Sequence, residues 1–437
     1  MDVAAILSRL NIAALNEMQQ DMIEAVPQSG NVVLLSPTGS GKTLGFLLPV
    51  AALIQPDMTG VQALIVVPSR ELAIQIESVF RQMSTGYKVN SCYGGHSVRT
   101  EENNFTHPPA VLVGTPGRIG HHIRAQNIDM SSVHTLVMDE FDKSLELGFQ
   151  EDIAFIVSEL PALRRKVLTS ATALERIPPF LKIQQPRVLD FTHGKTSTSV
   201  LALKAVHVPE ELTRPEGLAF LLSKLGGESS IIFCNHRDAV KRVGVQLRSM
   251  NIAHGIYHGE MEQPDREKAL IMLRNGSTNI LLTTDLASRG LDIPEIRHII
   301  HYQLPVTAEA FTHRNGRTAR MHADGTAYLL LESKDHIPAF VTGTVEEEAL
   351  PDHFTPLPEP EWKTLYIAAR KKDKINKTDI VGLLLQKGGL QKDEVGRIEV
   401  LDKAAYVAVS SAKISKTLRA ISEHKIKGKK VRFAIAD

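Results

Sequence analysis

Val32-Val33-Leu34-Leu35 runs directly into Ser36-Pro37-Thr38-Gly39-Ser40-Gly41-Lys42-Thr43, and a helix-like segment follows. The short β-branched run reads as a buried strand, and a strand feeding a glycine-rich turn and then a helix is the context a phosphate-binding loop requires. Gly39 and Gly41 let backbone N–H groups approach phosphate oxygens. The helix that begins near Lys42 aims the positive end of its dipole at the same place. Lys42 can reach β- and γ-phosphates, and Thr43 can ligate Mg²⁺. Ser36 stands where the general nucleotide-loop pattern has a glycine, so context rather than the string carries the reading. A chance glycine-rich turn would leave the strand and the intact Gly41-Lys42-Thr43 unexplained.

The alternation of strand and helix extends outward from this loop. Ala63 to Val67, Val111 to Val113, Thr135 to Met138 and Val167 to Thr169 read as buried strands. Glu71 to Met83 reads as an amphipathic helix with Leu72, Ile76, Val79 and Met83 on one face. The pattern recurs in Ile231 to Cys234, Ile280 to Thr283, His298 to His301 and Thr326 to Leu331. Such alternation predicts an α/β fold of parallel sheets with helices on both faces. Two units fit better than one giant sheet, with His193 to Ser199 as the hinge. The strand ending at Met138 continues into Asp139-Glu140-Phe141-Asp142. Carboxylates at the C-terminal edge of a parallel strand face the ligand crevice. Asp139 is therefore expected to hold Mg²⁺ through water and Glu140 to orient or deprotonate an attacking water. An isolated acidic pair would more simply be a solvated turn; a phosphate loop upstream changes that balance.

The chain has 437 residues, 43% apolar and 23% charged. That length predicts two or three domains and that composition excludes wholesale disorder. Apolar runs fall far short of the ~20 residues of a membrane helix, and the N-terminus lacks the basic start and apolar stretch of a signal peptide. Cys92 and Cys234 lie in strand-like runs and read as reduced core thiols. A cytoplasmic protein without a membrane partner is expected.

The net charge of +1 conceals a segregation. Residues 362–437 carry 18 Lys and Arg against 8 Asp and Glu, a net of +10, which leaves −9 on the first 361. A basic module with an anionic partner is one reading of this asymmetry, and a merely soluble basic domain is the other. Glu346-Glu347-Glu348 followed by Pro351, Pro356, Pro358 and Pro360 reads as an extended linker over 346–361. Beyond it, Thr364 to Ala369, Val395 to Leu401, Ala404 to Val409 and Val431 to Ile435 read as strands, and Asp379 to Leu385 and Ser411 to Glu423 as helices. The order is βαββαβ. Modules of this order bind RNA by stacking bases on sheet aromatics. Tyr366 and Tyr406 alternate against apolar neighbours and are predicted to share an open sheet face. Half-exposed strand tyrosines with no ligand are the alternative.

From about Asn11 to Leu331 these motifs resemble the DEAD-box RNA helicases of superfamily 2. The resemblance runs through Gln19, Ser36 to Thr43, Pro68 to Gln75, Gly94-Gly95, Thr115 to Arg118, Asp139 to Asp142 and Ser170-Ala171-Thr172. It continues through Ile232 to Asn235, Gln263 with Arg266, Thr284 to Asp292 and His313 to Arg320. It implies two tandem RecA-like domains (1–195 and 196–345) and, after the linker, an RRM-like domain over 362–437. Gln19 would read adenine, and Ser36, Thr38, Gly39, Ser40, Gly41, Lys42 and Thr43 would hold the phosphates. Gly290 and Asp292 would meet ATP from the second domain. Arg317 and Arg320 would act as arginine fingers beside the catalytic Lys42, Asp139 and Glu140, with Thr43 and Asp139 at Mg²⁺. Asp142, Ser170, Thr172 and His313 would couple hydrolysis to RNA. Arg70, Gly94, Gly95, Thr115, Gly117, Arg118, Gln263, Arg266 and Thr284 would line the RNA path, through backbone contacts that carry little sequence information.

This chain departs from the family at Phe141 (usually Ala), Leu15-Asn16 (usually Pro-Thr), Ser69 (usually Thr), Asn315 (usually Ile) and Ala319 (usually Gly). The aromatic expected well before Gln19 falls near Asp2. Lys425-Ile426-Lys427-Gly428-Lys429-Lys430 and Gly382 to Arg397 are similar to the C-terminal domain of DbpA-type helicases, which bind ribosomal RNA and act in large-subunit assembly. That similarity implies RNA contacts at Lys427, Lys429 and Lys430. The expectation is a monomeric ATP-dependent RNA helicase acting on rRNA or pre-ribosomal particles. An ATP-dependent RNA clamp and a superfamily 2 DNA helicase are the alternatives.

Overall fold

The computed structural model describes residues 2–436 apart from 38, 96, 173–175, 193–200, 289–295, 319–324, 370–374 and 402–403. The expected hinge at 193–199, and with it Thr38, Gly290, Asp292 and Arg320, lies outside the described residues. The chain forms two compact units, Met1–Ser197 and Thr198–Arg289 with Ile293–Asp437. No helix among the described residues is long and apolar enough to cross a membrane.

The first unit is a seven-stranded parallel sheet: β1 (Asn31–Leu35), β2 (Ala63–Val66), β3 (Val89–Cys92), β4 (Val111–Gly114), β5 (Thr135–Met138), β6 (Arg165–Ser170) and β7 (Arg187–Asp190), in the order β3-β4-β2-β5-β6-β1-β7. Its central strands are buried on both faces, so they read as continuous apolar runs. Alternate residues of each strand serve opposite cores. Val32, Leu34 and Ile65 pack with Phe46, Ile76 and Phe80 on one face, and Val33, Leu64 and Leu168 pack with Phe141 and Ile153 on the other. The helix read as Glu71 to Met83 is Arg70–Met83, started by the Ser69 side chain accepting from Leu72 N–H. Ser69 thus keeps the capping function its hydroxyl implied.

The second unit begins with β8 (Leu201–His207), β9 (Ser230–Phe233), β10 (Gly255–Tyr257), β11 (Ile280–Thr283), β12 (His298–His301), β13 (Gly325–Leu331) and β14 (Val345–Glu347), a parallel sheet ordered β10-β11-β9-β12-β13-β8-β14. β14 departs from the extended linker expected over 346–361. Glu346 and Glu347 pair in register with Lys204 and Ala205 of β8, and Glu348 bonds both Lys204 (2.5 Å) and Lys224. Leu350, Phe354 and Leu357 then pack on the core beneath. Acidic and proline-rich composition suggested solvated chain; Lys204 on the neighbouring strand, Lys224 at the end of helix Arg214–Lys224 and an apolar bed hold it down instead.

The remaining residues of this unit form an antiparallel sheet from β15 (Trp362–Ile367), β16 (Val395–Val400), β17 (Ala405–Ser410) and β20 (Phe433–Ile435), ordered β16-β17-β15-β20. Before β20 comes a hairpin of β18 (Lys425–Ile426) and β19 (Lys429–Lys430). Its turn is Lys427-Gly428, both at positive φ (48° and 77°), as a two-residue hairpin requires. With helices Lys377–Gln386 and Ile414–Ile421 the predicted βαββαβ order is present, elaborated by that hairpin. The helices cover Leu365, Ile367, Val407 and Val409.

The opposite sheet face corrects an expectation. Tyr366 and Tyr406 are direct cross-strand partners with ring centroids 5.5 Å apart, so they do share a face. That face is not open: Tyr406 is 6% exposed and packs with Ala404 and with Ile271 of helix Gln263–Arg274. Asn275 Nδ2 donates to Thr364 Oγ1 (2.9 Å), which donates to Ser277 Oγ (2.7 Å), and Arg274 pairs with Glu399 at 2.8 Å. Burial, with the nearby Tyr366, Glu267 and Asp265, pushes the Tyr406 hydroxyl up to about 12. Strand periodicity placed the tyrosines on one face; it could not see that another domain covers it.

Candidate nucleotide and RNA sites

β1 delivers the phosphate loop to the start of helix Lys42–Leu53. Gly39 and Gly41 lie at φ 84° and 87°, and a Cβ on Gly41 would sit 2.5 Å from Gln19 Nε2. Glycine at 41 is thus required by backbone and by space. Lys42 Nζ donates to the carbonyls of Ser36 (2.6 Å) and Pro37 (2.9 Å), and the Ser36 and Ser40 hydroxyls bond at 2.8 Å. A phosphate entering this loop competes with those carbonyls for the ammonium group. Thr43 follows on the first turn of the helix.

Gln19 is buried beside the loop and donates from Nε2 to Gly41 O at 3.2 Å. Asn16 explains how this region survives without Pro-Thr. Its Oδ1 accepts from Gln19 N–H (2.9 Å) while Gln19 Oε1 accepts from Asn16 N–H (3.1 Å), a capping box on helix Glu17–Gln28. Asn16 Nδ2 also donates to Ser40 O at 2.9 Å, a bond made by the amide nitrogen that threonine lacks. Asp2, where the aromatic was expected, instead caps helix Val3–Arg9 by accepting from Ala5 N–H.

Asp139 follows β5 and is buried. Thr169 Oγ1 donates to its carboxylate and accepts from Glu140 N–H at 3.2 Å. Glu140 is left-handed (φ 48°), and Thr169 therefore fixes both acidic residues. Burial raises the Asp139 carboxyl above its ordinary value, opposed by the Thr169 bond and the Lys42 charge. Phe141, where the family usually has Ala, is fully buried and packs in the core with Leu64 and Ile153. Thr172 Oγ1 reaches Asp142 Oδ2 at 3.4 Å, and Ser170 Oγ donates to Thr172 O at 2.6 Å. The structure thus brings Asp142, Ser170 and Thr172 together. Ser36 N–H donates to Ser170 O (3.0 Å), tying this group to the phosphate loop.

A second cluster lies at the ends of β3 and β4. Arg70 heads its helix, and a Cβ on Gly95 (φ 86°) would lie 2.7 Å from Arg70 Nη1. The Thr115 carbonyl accepts from Arg118 and Ile119 N–H at the start of helix Pro116–Arg124, which carries Gly117 and Arg118. Arg118 Nε donates to Tyr93 O at 3.1 Å, beside Gly94-Gly95.

In the second unit, Arg314 is fully buried. It donates to both oxygens of Asp285 (2.5 and 3.1 Å), to Gln303 O (2.8 Å) and to Asn235 Oδ1 (2.7 Å). Three separated motifs are joined by one guanidinium. His313 is buried on helix Ala308–Asn315, and Arg317, 2% exposed, lies in the turn that follows it. Asn315 Oδ1 accepts from His301 Nε2 at 2.9 Å, and burial beside Arg314 pushes His301 down to about 3, so the ring is neutral. Gln263 begins helix Gln263–Arg274 and donates to Glu267 at 3.0 Å; Arg266 is buried on it, and Thr284 follows β11. Lys427, Lys429 and Lys430 are exposed on the hairpin, Lys427 pairing with Asp379 at 2.8 Å. Sequence reading passed over Asn16, Thr169 and Arg314, although Arg314 lies inside a quoted motif. Polar residues at strand ends and helix caps have no periodic signal.

The chain matches the DEAD/DEAH box helicase family over residues 16–177, the helicase conserved C-terminal domain over 213–322 and the DbpA RNA binding domain over 364–435. It is 30% identical over 442 residues to the ATP-dependent RNA helicase DbpA of Escherichia coli, covering 98% of this chain and 96% of that protein. The Bacillus subtilis protein of the same name is 29% identical, covering 99% and 96%. Among solved structures, Saccharomyces cerevisiae Dbp5 bound to RNA and ADP BeF3 superposes with a TM-score of 0.70 at 22% identity, over 79% of this chain and 92% of that one. That likeness supports the fold.

Proposed function

Because this chain belongs to the DEAD-box family of ATP-dependent RNA helicases, in its DbpA-type branch, we propose that it locally unwinds or remodels ribosomal RNA during assembly of the large ribosomal subunit. The observation that carries the rRNA reading is the C-terminal RNA-binding domain match, with its exposed Lys427, Lys429 and Lys430. A monomeric state and a cytoplasmic location belong to the same proposal. Lys42 and the backbone of Gly39 to Gly41 hold the phosphates, Gln19 reads adenine, and Glu140 orients the attacking water. Arg317 and Arg320 stabilise charge that develops on the γ-phosphate. Asp142, Ser170, Thr172 and His313 relay the state of the nucleotide to the RNA-contacting residues. Thr43 and Asp139 offer hard oxygen donors, and Asp139 is a buried carboxylate whose desolvation a dication would relieve, so the pair suits Mg²⁺. Mg²⁺ bound there would neutralise phosphate charge.

Gly94, Gly95, Thr115 and Arg118, with Gln263, Arg266 and Thr284, contact RNA backbone. The lysine-rich hairpin supplies target attraction that weakens as salt rises. Tyr406 has no part in it, since its ring is covered. The test is steady-state ATPase activity with rRNA fragments, unrelated RNA and DNA. Stimulation greatest with rRNA is expected. Equal turnover with and without RNA would remove the coupled mechanism, and equal stimulation by DNA would move the chain to the DNA branch.

A further inference from the structure

Helix Val98–Phe105 carries a carboxylate that the site described above does not use. Glu101 is fully buried, a setting in which an unpaired charge is destabilising by several kcal/mol. Its partners converge from two segments, the residue after β3 and helix Pro116–Arg124. Tyr93 N–H donates to Oε1 at 3.1 Å, His122 Nε2 donates to Oε2 at 2.7 Å, and Arg118 Nε lies 3.2 Å from Oε2. His122 is itself fully buried, its Nδ1 accepting from Asn127 Nδ2 at 3.1 Å and its ring meeting Phe105 edge-on at 5.0 Å. Burial alone would raise the Glu101 carboxyl, but the His122 and Tyr93 hydrogen bonds and the Arg118 charge hold it below its ordinary value. The group is therefore an anion.

Two of these partners belong to separate parts of the proposed RNA path. Tyr93 immediately precedes Gly94-Gly95, and Arg118 closes the Thr115 to Arg118 turn. The Nε–H of Arg118 points between Glu101 and Tyr93 O, so the base of the guanidinium is held from both sides. Arginine reads phosphate with a rigid planar fork, and fixing the fork in advance reduces the entropy lost when it binds. We propose that Glu101, backed by His122, is a positioning residue that locks Arg118 and the Gly94-Gly95 turn into register for the RNA backbone. The inference rests on the helicase reading above.

The test is a double-mutant cycle in the full chain with an ATP analogue and Mg²⁺, reading the affinity for a fluorescein-labelled single-stranded RNA by anisotropy. Glu101→Gln should weaken RNA binding about tenfold, about 1.4 kcal/mol. The same change in an Arg118→Ala background should cost no further affinity, because coupled groups are non-additive. Glu101→Asp, which keeps the charge but retracts the carboxylate, repeats the measurement should the Gln variant misfold; a loss present in the parent and absent beside Arg118→Ala is again expected. Equal losses in both backgrounds, or no loss in the parent, would overturn the inference while leaving the helicase reading intact. Failure of the parent chain to bind RNA would overturn both.

Discussion

Tyr406→Ala separates two roles for the sheet face of the C-terminal domain. If the ring were a stacking platform, its removal would cost RNA affinity by about 1–3 kcal/mol per stacked base and little else. The structure predicts a different loss. Tyr406 is 6% exposed between Tyr366, Ala404 and Ile271. An aromatic side chain buries about 150–250 Å², which at about 25 cal/mol per Å² gives about 4–6 kcal/mol as an upper bound. Measured aromatic truncations in cores fall at about 3–5 kcal/mol. Part of the ring stays covered by Tyr366 in its own sheet, so about 3 kcal/mol is expected, much of it from the seam with helix Gln263–Arg274. The chain's one tryptophan reports on that seam. A Cβ on Gly276 would lie 3.4 Å from Trp362 Cδ1, so the indole rests on the turn that follows the helix. Urea titration followed by tryptophan fluorescence should show Trp362 becoming solvated at lower denaturant in Tyr406→Ala, with Tyr406→Phe close to the parent. Weakened RNA binding with an unchanged Trp362 transition would refute the argument and restore the open stacking face.

Phe141→Ala, which installs the residue usual in the family, should destabilise the first unit by about 3–5 kcal/mol, because the fully buried ring leaves a cavity; a neutral melting profile would mean the core closes around it. Asn16→Ala should lose about 1 kcal/mol from the helix cap and about 1 more from the bond to Ser40. Asn16→Thr should lose only the second part, and equal melting losses in the two variants would deny the cap any role. Hydrogen bonds from Lys204 and Lys224 hold the Glu348 carboxyl below its ordinary value. That stabilisation is complete above the unfolded pKa of about 4.3 and is lost as pH falls through the lower folded value. Glu348→Gln should therefore narrow its stability gap to the parent as pH drops from neutral, and a gap independent of pH would contradict the ion-pair account.

The central strands were legible because parallel strands buried on both faces must be apolar throughout. Val32 to Leu35, Thr135 to Met138 and Ile280 to Thr283 appear almost as read. The edge strands β7 and β14 were not, since strands with exposed residues show no such run. The nucleotide and RNA motifs were readable because phosphate chemistry demands glycine, lysine and carboxylates at fixed spacing. The residues that hold those groups left no pattern. Asn16, Glu101, Thr169 and Arg314 act through hydrogen bonds between segments distant in sequence, and any polar residue at those positions looks alike in one dimension.

The sequence by itself determined the two parallel sheets, the phosphate loop and the basic βαββαβ domain, because local periodicity and glycine geometry are properties of neighbouring residues. Only the tertiary structure decided that Glu348 is clamped by two lysines and that the tyrosine face lies against helix Gln263–Arg274. Both depend on which surfaces meet. A strand's alternation states which residues share a face, and burial of that face is decided by what packs on it.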